Sequence, residues 1–207
     1  RIWWPLLGED LFINYDTILL VIFSYLIGSI PFGLLISILM KKKDPRYSGS
    51  NNIGATNIAR TSGWRLGMIT LILDVLKAYI PISFIIFNFY ENLNLVIVFI
   101  ILGHLFPIWL KFKGGKGVAV FIGVLLAYNP IYGLIYLISW LAFALIFKYS
   151  SLSALLATVI NLIVVFYFEE NYYIFFFASS LIFLKHIPNI ERLIAGKETK
   201  INLKKKK

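Results

Sequence analysis

The chain contains no cysteine, and this absence excludes several chemistries at once. Without a thiol there is no disulfide framework, no thiolate metal site and no cysteine nucleophile. Histidine is nearly as scarce, since His104 and His186 are the two in 207 residues. A zinc site on them would need carboxylate ligands, which are few near either histidine. We therefore expect no metal centre.

Charged residues are also few, because Asp, Glu, Lys and Arg make up 14% of the chain while 59% is hydrophobic. Soluble domains are roughly 45–50% apolar, so the expected solvent is the bilayer. The formal net charge of +10 could suggest nucleic-acid binding. The basic residues, however, lie at the ends of apolar runs and the aromatic residues lie within them. We expect a membrane protein that binds no nucleic acid.

Seven apolar runs are candidate membrane helices. A helix crosses the hydrocarbon core with about 20 apolar residues, within a range of roughly 17–25. The fourth and seventh runs are short by this measure, which leaves five spans with re-entrant segments as an alternative. We predict an all-α polytopic membrane protein with runs at 17–40, 67–89, 93–110, 118–128, 131–147, 152–168 and 172–184.

The basic residues fall on one side of the membrane if the spans alternate. They cluster in 41–65, in 111–116, at Lys148 and from Lys185 onward, and only Arg1 and Lys77 break the pattern. The acidic residues on the other side are Glu9, Asp10, Asp16, Glu91, Glu169 and Glu170. Basic residues near helix ends are retained in the cytoplasm. We therefore predict that the N-terminus is outside and that the C-terminus is cytoplasmic.

The two ends of the chain carry further signals. Trp3 and Trp4 suit an anchor at the membrane interface, where amphipathic rings lie at headgroup level. The chain ends in four consecutive lysines. We predict one membrane-embedded domain over 1–198 and a basic cytoplasmic tail over 199–207.

The longest polar segment, 46–60, is rich in Ser, Asn, Gly and Thr. Backbone N–H groups of such residues can converge on an anion, and a helix beginning near Ala55 or Thr56 would add its positive end. Arg46 and Arg60 are then placed to donate charge-assisted hydrogen bonds to phosphate. An ordinary solvated loop with helix caps explains the same composition equally well.

A second polar segment, 104–117, ends in Lys-Phe-Lys-Gly-Gly-Lys-Gly. Gly117 follows Lys116 where a Walker motif requires Ser or Thr, which argues against an NTPase. A positive-inside anchor explains Lys111 and Lys113, but an anchor has no need of adjacent glycines. We interpret His104 as a hydrogen-bonded packing residue rather than a catalyst or a metal ligand.

Three further polar features remain. His186 and Asn189 are three residues apart, so one helical turn would place them on one side, although a simple polar helix end is the alternative. The serines at 150, 151 and 153 have helix capping as their default role. Asp74 and Lys77 are expected to pair inside the bundle, because an unpaired charge within the membrane is costly.

Together these segments resemble one family, the bacterial acyl-phosphate:glycerol-3-phosphate acyltransferases. The resemblance rests on 28–33, 49–57, 103–117 and 185–193 and runs from about Tyr25 to Glu198. It implies transfer of a fatty acyl group from acyl phosphate to the 1-hydroxyl of glycerol 3-phosphate, giving lysophosphatidic acid and phosphate. It further implies the bacterial inner membrane, an active site on the cytoplasmic face, no cofactor, and an upstream enzyme that forms acyl phosphate.

The resemblance also assigns residues. It implies a structural role for Glu198 and no metal ligands. The proton acceptor stays open between His186 and the departing phosphate. Catalytic roles fall to Ser50, Arg60, Lys116, His186 and Asn189, and substrate-binding roles to Gly114, Gly115, Gly117 and Ser151. From the same motifs we add Asn52, Gly54, Thr56, Asn57 and His104 as candidate substrate-binding residues.

Two other functions fit less well. An organic-phosphate transporter would need basic loops and glycine-rich turns too, but its sites should lie near the membrane midplane between matching broken helices. Here the polar motifs cluster at one interface. A non-catalytic membrane scaffold leaves the whole set of motifs unexplained.

Overall fold

The computed structural model of the protein describes residues 15–201, which form α-helices and short 3₁₀ turns without any strand. Trp3, Trp4 and the final four lysines lie outside the described residues. The all-α prediction is confirmed. The helices are α1 (Tyr15–Gly28), α2 (Phe32–Leu39), α3 (Ala55–Ser62), α4 (Trp64–Asn88), α5 (Leu93–Leu105), α6 (Val118–Tyr128), α7 (Pro130–Phe147), α8 (Ser150–Phe168), α9 (Tyr172–Lys185) and α10 (Ile187–Ile194).

Four segments of the described chain are long and apolar enough to cross a membrane alone. They are α4, α7, α8 and the stretch Tyr90–Leu110 that contains α5. The pairs α1–α2 and α9–α10 bend by 44° and 55°, and counting each as one span gives up to six. The remaining run is α6, which has 11 residues and is about 16 Å long, roughly half the hydrocarbon thickness.

The first apolar run differs from the prediction, because residues 17–40 form two helices instead of one. Pro31 lacks a backbone N–H and disfavours helical backbone at Ile30, so a continuous helix ends here. The carbonyl of Ile30 accepts a hydrogen bond from Lys77 Nζ at 2.8 Å. A buried side chain of α4 therefore stabilises the break between α1 and α2.

Helices α1 and α5 pack closely through two glycines. A Cβ atom on Gly28 would overlap the carbonyl of Ile100, and one on Gly103 would overlap the carbonyl of Tyr25. Small residues allow such close approach of membrane helices. The Tyr25 hydroxyl also donates to the carbonyl of Phe106 at 2.7 Å. These contacts fix the end of α5, from which the 104–117 segment departs.

The short helix α6 lies in the centre of the bundle. Its residues 120–125 are all buried, and Gly123 packs against the carbonyl of Val75 on α4. Tyr128, the last residue of α6, and Tyr132 on α7 donate to the carboxylate of Glu169 at 3.0 and 2.6 Å. The N-terminal end of α6 directly follows the glycine-rich turn. It lies inside the protein, next to the cavity described below.

Candidate active site

The three polar motifs meet around one cavity of about 380 Å³. One part of its wall is polar and the other consists of apolar side chains from α4, α6 and α7, including Leu71, Ile122 and Leu137. The same three residues also line an entirely apolar groove of about 220 Å³. The site is therefore amphipathic: the cavity has a polar part and an apolar part, and an apolar groove suited to an alkyl chain shares three of its wall residues.

All of the residues assigned to the site from the sequence line this cavity, except Gly114 and Gly115. Those two pack behind it, where their backbone N–H groups donate to the carbonyls of Leu105 and His104 at 3.2 and 3.1 Å. A Cβ on Gly115 would overlap the His104 imidazole. The glycine pair thus lets the turn lie directly on the end of α5.

Three helices begin at the cavity, and their first residues line it. These are α3 after Gly54, α6 after Gly117 and α8 after Tyr149, and none has a side-chain cap hydrogen bond. The first N–H groups of a helix have no partner within the helix, and the dipole makes that end positive. Three such ends around one cavity favour a bound anion.

The first motif is organised by Asn57, which is 2% exposed. Its Oδ1 accepts from the Ser50 N–H at 2.8 Å, and its Nδ2 donates to the carbonyls of Asn52, Ser48 and Pro45 at 2.8, 2.9 and 3.1 Å. Because these bonds use its donors and its acceptor, Asn57 shapes the loop that presents Ser50. This positioning role differs from the substrate contact that we expected.

The arginines of this motif separate into two roles. Arg46 is paired with Asp44 at 2.7 Å on an exposed turn and does not line the cavity, contrary to our expectation of a phosphate contact. Arg60 on α3 lines the cavity and forms no ion pair within the described chain. Arg60 is therefore the guanidinium available to an anionic ligand.

Lys116 brings the second positive charge to the cavity. Its Nζ donates to Asn189 Oδ1, which links the second motif to the third. Burial lowers the pKa of Lys116 to about 8; Glu198 opposes this shift, while Arg192 and Arg60 add to it. An incoming phosphate would favour the charged form of the amine.

Glu198 holds the third motif together. Its Oε1 accepts from Ser151 Oγ and Asn189 Nδ2, each at 2.7 Å, and its Oε2 accepts from Arg192 Nε at 2.7 Å. Burial raises the pKa of the Glu198 carboxyl, but the bonds from Asn189, Ser151 and Arg192 outweigh burial, and the pKa lies below its usual value. This geometry agrees with the structural role that the resemblance implies for Glu198.

His186 is 2% exposed, and its ring lies against the carbonyl of Ile182, with Nδ1 at 2.8 Å from the oxygen. A carbonyl can only accept, so Nδ1 carries the proton and Nε2 of the neutral ring is an acceptor. His186 lines the cavity. The arrangement is that of a candidate general base or hydroxyl acceptor.

Two cavity residues were missed by sequence reasoning. Ser150 was assigned to helix capping, yet its hydroxyl lies 3.0 Å from the Thr56 hydroxyl and joins α8 to α3 at the cavity. Asp74 was expected to pair with Lys77, which is confirmed at 2.7 Å, but it also lines the cavity. Only the adjacency of Ser150 to Ser151 could have indicated the first, and nothing in the sequence indicated the second.

Carboxylates and histidines are dispersed in residues 15–201, where no group of three or more could hold a metal ion.

Known proteins are similar to this chain in sequence and in fold. The sequence model of the glycerol-3-phosphate acyltransferases matches residues 18–196. The glycerol-3-phosphate acyltransferase of Pelagibacter ubique is 44% identical over 189 residues, covering 91% of this chain and 99% of that protein. The enzyme of the same name from Bartonella henselae is 46% identical over 202 residues, covering 94% and 95%.

Two crystal structures have the same arrangement of helices. Both are of PlsY (YgiH), described as an integral membrane glycerol 3-phosphate acyltransferase, in its glycerol 3-phosphate form and its lysophosphatidic acid form. Their TM-scores are 0.86 and 0.83 at 36% and 35% identity, and each covers 90% of this chain and 96% of the other. The chain therefore belongs to the family of integral membrane glycerol-3-phosphate acyltransferases.

Proposed function

We propose that this acyltransferase moves a fatty acyl group from acyl phosphate to the 1-hydroxyl of glycerol 3-phosphate, giving lysophosphatidic acid and inorganic phosphate. The reaction takes place at the cytoplasmic face of the bacterial inner membrane. The observation that carries this proposal is the cavity itself, because two cationic side chains and three helix N-termini share it with an apolar wall. Both substrates carry phosphate, and the donor also carries a long alkyl chain.

The apolar groove explains how a membrane-bound donor reaches the polar cavity. Each buried CH₂ contributes about 0.8 kcal/mol, so a sixteen-carbon chain contributes on the order of 10 kcal/mol when it stays out of water. Leu71, Ile122 and Leu137 connect groove and cavity. The phosphate can therefore enter the polar cavity while the acyl chain stays in the groove or in the bilayer.

The chemistry follows from an activated donor. Acyl phosphate is a mixed anhydride with a good leaving group, so positioning and charge stabilisation are sufficient and no covalent enzyme intermediate is needed. The hydroxyl oxygen of glycerol 3-phosphate forms a bond to the acyl carbon, and the bond from that carbon to the phosphate oxygen breaks. Arg60, Lys116 and the helix N-termini stabilise the departing phosphate.

The third motif orients the acceptor. Nε2 of His186 accepts a hydrogen bond from the attacking hydroxyl and takes its proton, which then passes to the departing phosphate. Asn189 and Lys116 hold each other in place through the contact between their side chains. Ser50 and Ser151 supply hydroxyl groups to phosphate oxygens, for which Ser151 exchanges its bond to Glu198 for one to the ligand.

The organic-phosphate transporter, our alternative from the sequence, is disfavoured by membership in an acyltransferase family.

The test is a turnover measurement on the purified protein with palmitoyl phosphate or palmitoyl-CoA as donor and glycerol 3-phosphate as acceptor. We expect phosphate and lysophosphatidic acid in equal amounts from palmitoyl phosphate alone. Arg60→Ala should lose most activity, whereas Arg65→Ala, an exposed arginine outside the cavity, should retain it. Turnover with palmitoyl-CoA alone, or none with either donor in folded protein, would overturn the proposal.

A further inference from the structure

A buried polar cluster beside the cavity has no role in the reaction described above. Asp74 and Lys77 on α4 are paired at 2.7 Å, with side chains only 3% and 2% exposed. His104, at the end of α5, is 4% exposed. The cluster joins α4, α5 and the α1–α2 break. It is buried among membrane helices, where ionisable residues are costly and commonly have a function.

The hydrogen atoms of Lys77 determine which nitrogen of His104 carries a proton. An ammonium group has three donors and no acceptor. Around Nζ lie Asp74 Oδ1 at 2.7 Å, the Ile30 carbonyl at 2.8 Å and His104 Nδ1 at 3.0 Å. Because Nζ cannot accept, Nδ1 must, and the proton of the neutral imidazole is then on Nε2.

The other nitrogen of the ring, Nε2, lies against the glycine-rich turn. His104 lines the cavity, and its Nε2 lies so close to Gly115 that a Cβ there would overlap it. The His104 carbonyl also accepts from the Gly115 N–H at 3.1 Å. Among residues 15–201, the hydrogen bond of the His104 ring is the one between Nδ1 and Lys77 Nζ. The ring therefore presents an unused N–H donor next to the turn that carries Lys116.

We propose that the Asp74–Lys77 pair holds His104 as the Nε2–H tautomer, and that His104 donates this proton in a hydrogen bond to a phosphate oxygen of a bound substrate. His104 is then a substrate-binding residue, while Lys77 and Asp74 are positioning residues that act through it. A neutral donor binds the oxygen without adding a third cation to Arg60 and Lys116. This inference rests on the proposed function, because it assumes a phosphate-bearing substrate.

Nitrogen NMR on histidine-labelled protein tests the tautomer directly. The chain has two histidines, and His104→Gln identifies their signals. We expect opposite tautomers, with the proton on Nε2 in His104 and on Nδ1 in His186. Lys77→Met should remove the preference of His104 alone. A proton on Nδ1 of His104 in the wild-type protein would refute the inference.

Titration of the same labelled protein identifies the ligand. Glycerol 3-phosphate and palmitoyl phosphate are added in separate samples, and inorganic phosphate in a third. The His104 Nε2 signal should shift with the substrate whose phosphate it contacts, and the separate samples distinguish donor from acceptor. An Nε2 signal that stays unchanged at saturation with every ligand would also refute the inference.

Kinetics supply a second readout. A hydrogen bond to a charged group is worth on the order of 10- to 100-fold in binding, so His104→Leu should lower kcat/KM by about that factor. His104→Gln, which keeps an N–H donor on a side chain of similar reach, should recover part of the loss. Ser179→Ala, at a buried hydroxyl outside the cavity, is the control.

The outcomes separate this inference from the proposed function. If wild-type protein is active and His104→Leu matches it, the inference fails and the function stands. If Leu and Gln variants lose activity equally, His104 only packs against the turn and the inference again fails. If wild-type protein gives no product with either donor, the proposed function fails, while NMR with inorganic phosphate still tests the tautomer and the bond.

Discussion

At the scale of single residues, the chemistry depends on a chain of side chains that runs from Lys116 through Asn189 to Glu198. Glu198 in turn bonds Ser151 and Arg192. In the proposed reaction the positively charged end of this chain contacts the ligand, and the carboxylate at the other end fixes the geometry of the chain. A change at either end should therefore affect catalysis through a different physical quantity.

Lys116 predicts a pH dependence. Its pKa of about 8 in the ligand-free protein means that the amine is charged below this pH and neutral above it. The pH dependence of kcat/KM reflects the pKa values of groups in the free enzyme. We therefore expect kcat/KM for glycerol 3-phosphate to fall as the pH rises through about 8. In the Lys116→Arg variant the side chain keeps its charge to much higher pH, so kcat/KM of this variant should not fall near pH 8. The same fall of kcat/KM in the Arg variant would show that another group is responsible for it.

Glu198→Gln should damage the site without removing a group that contacts the ligand. The amide cannot accept as strongly from Arg192, Asn189 and Ser151, and leaving a buried partner unsatisfied costs about 1–3 kcal/mol. We expect a loss of about 10- to 100-fold in kcat/KM and a lower thermal unfolding midpoint in detergent. Glu191→Gln, an exposed carboxylate on α10, should change neither. Full activity of Glu198→Gln would contradict the role of the carboxylate.

Acid should weaken the same network. The carboxyl of Glu198 has a lower pKa in the folded protein than in the unfolded chain. The carboxylate therefore contributes fully to stability above the pKa that it has in the unfolded chain. This contribution is lost as the pH falls through the lower pKa that it has in the folded protein. Glu198→Gln should lack this loss, which unfolding measured at pH 7 and at acidic pH would show.

At the scale of elements, the sequence predicted those features that depend on local patterns. Apolar length gave the main helices, and small polar residues before Ala55 predicted the start of α3, which begins there. The break after Gly28 was missed although Pro31 marks it locally, and only the contact that stabilises it involves a distant segment. The role of Asn57 could not be predicted, because it depends on contacts between distant segments. The Ile30 carbonyl needs Lys77, and Asn57 is explained only by the loop folded around it.

The apolar wall of the cavity, formed by α4, α6 and α7, leads to a prediction about the acyl-chain length of the donor. Leu137 on α7 lines both the cavity and the groove, so Leu137→Trp should obstruct the connection between them. Long donors should suffer most, because each CH₂ excluded from the groove forfeits about 0.8 kcal/mol. We expect kcat/KM to fall more for palmitoyl phosphate than for octanoyl phosphate.

The matched control for this substitution is Leu134→Trp. Leu134 lies one turn earlier on α7, is exposed, and lines neither the cavity nor the groove. It should leave the preference between the two donors unchanged. Equal losses for both donors in Leu137→Trp would show that the acyl chain takes another route.

At the scale of the whole molecule, the polar cavity and Glu169 lie at opposite ends of one helix. Helix α8 begins at Ser150 in the cavity wall and ends at Phe168, next to Glu169. Its 19 residues correspond to about 28 Å, close to the hydrocarbon thickness of about 30 Å. This supports a cavity at one membrane interface and Glu169 at the other, as the charge pattern predicts.

The absence of cysteine makes the predicted orientation directly measurable, since a single introduced thiol is the only one in the chain. Lys42 and Glu170 are both exposed, Lys42 before the first motif and Glu170 between α8 and α9. Because basic residues near helix ends stay in the cytoplasm, a membrane-impermeant maleimide should label Glu170→Cys in intact spheroplasts and Lys42→Cys only in inverted vesicles. Both variants should keep their activity, because neither residue lines the cavity. The reverse pattern would place the active site outside, where a donor made in the cytoplasm could not reach it. Labelling of both positions from one side would mean an even number of crossings between them.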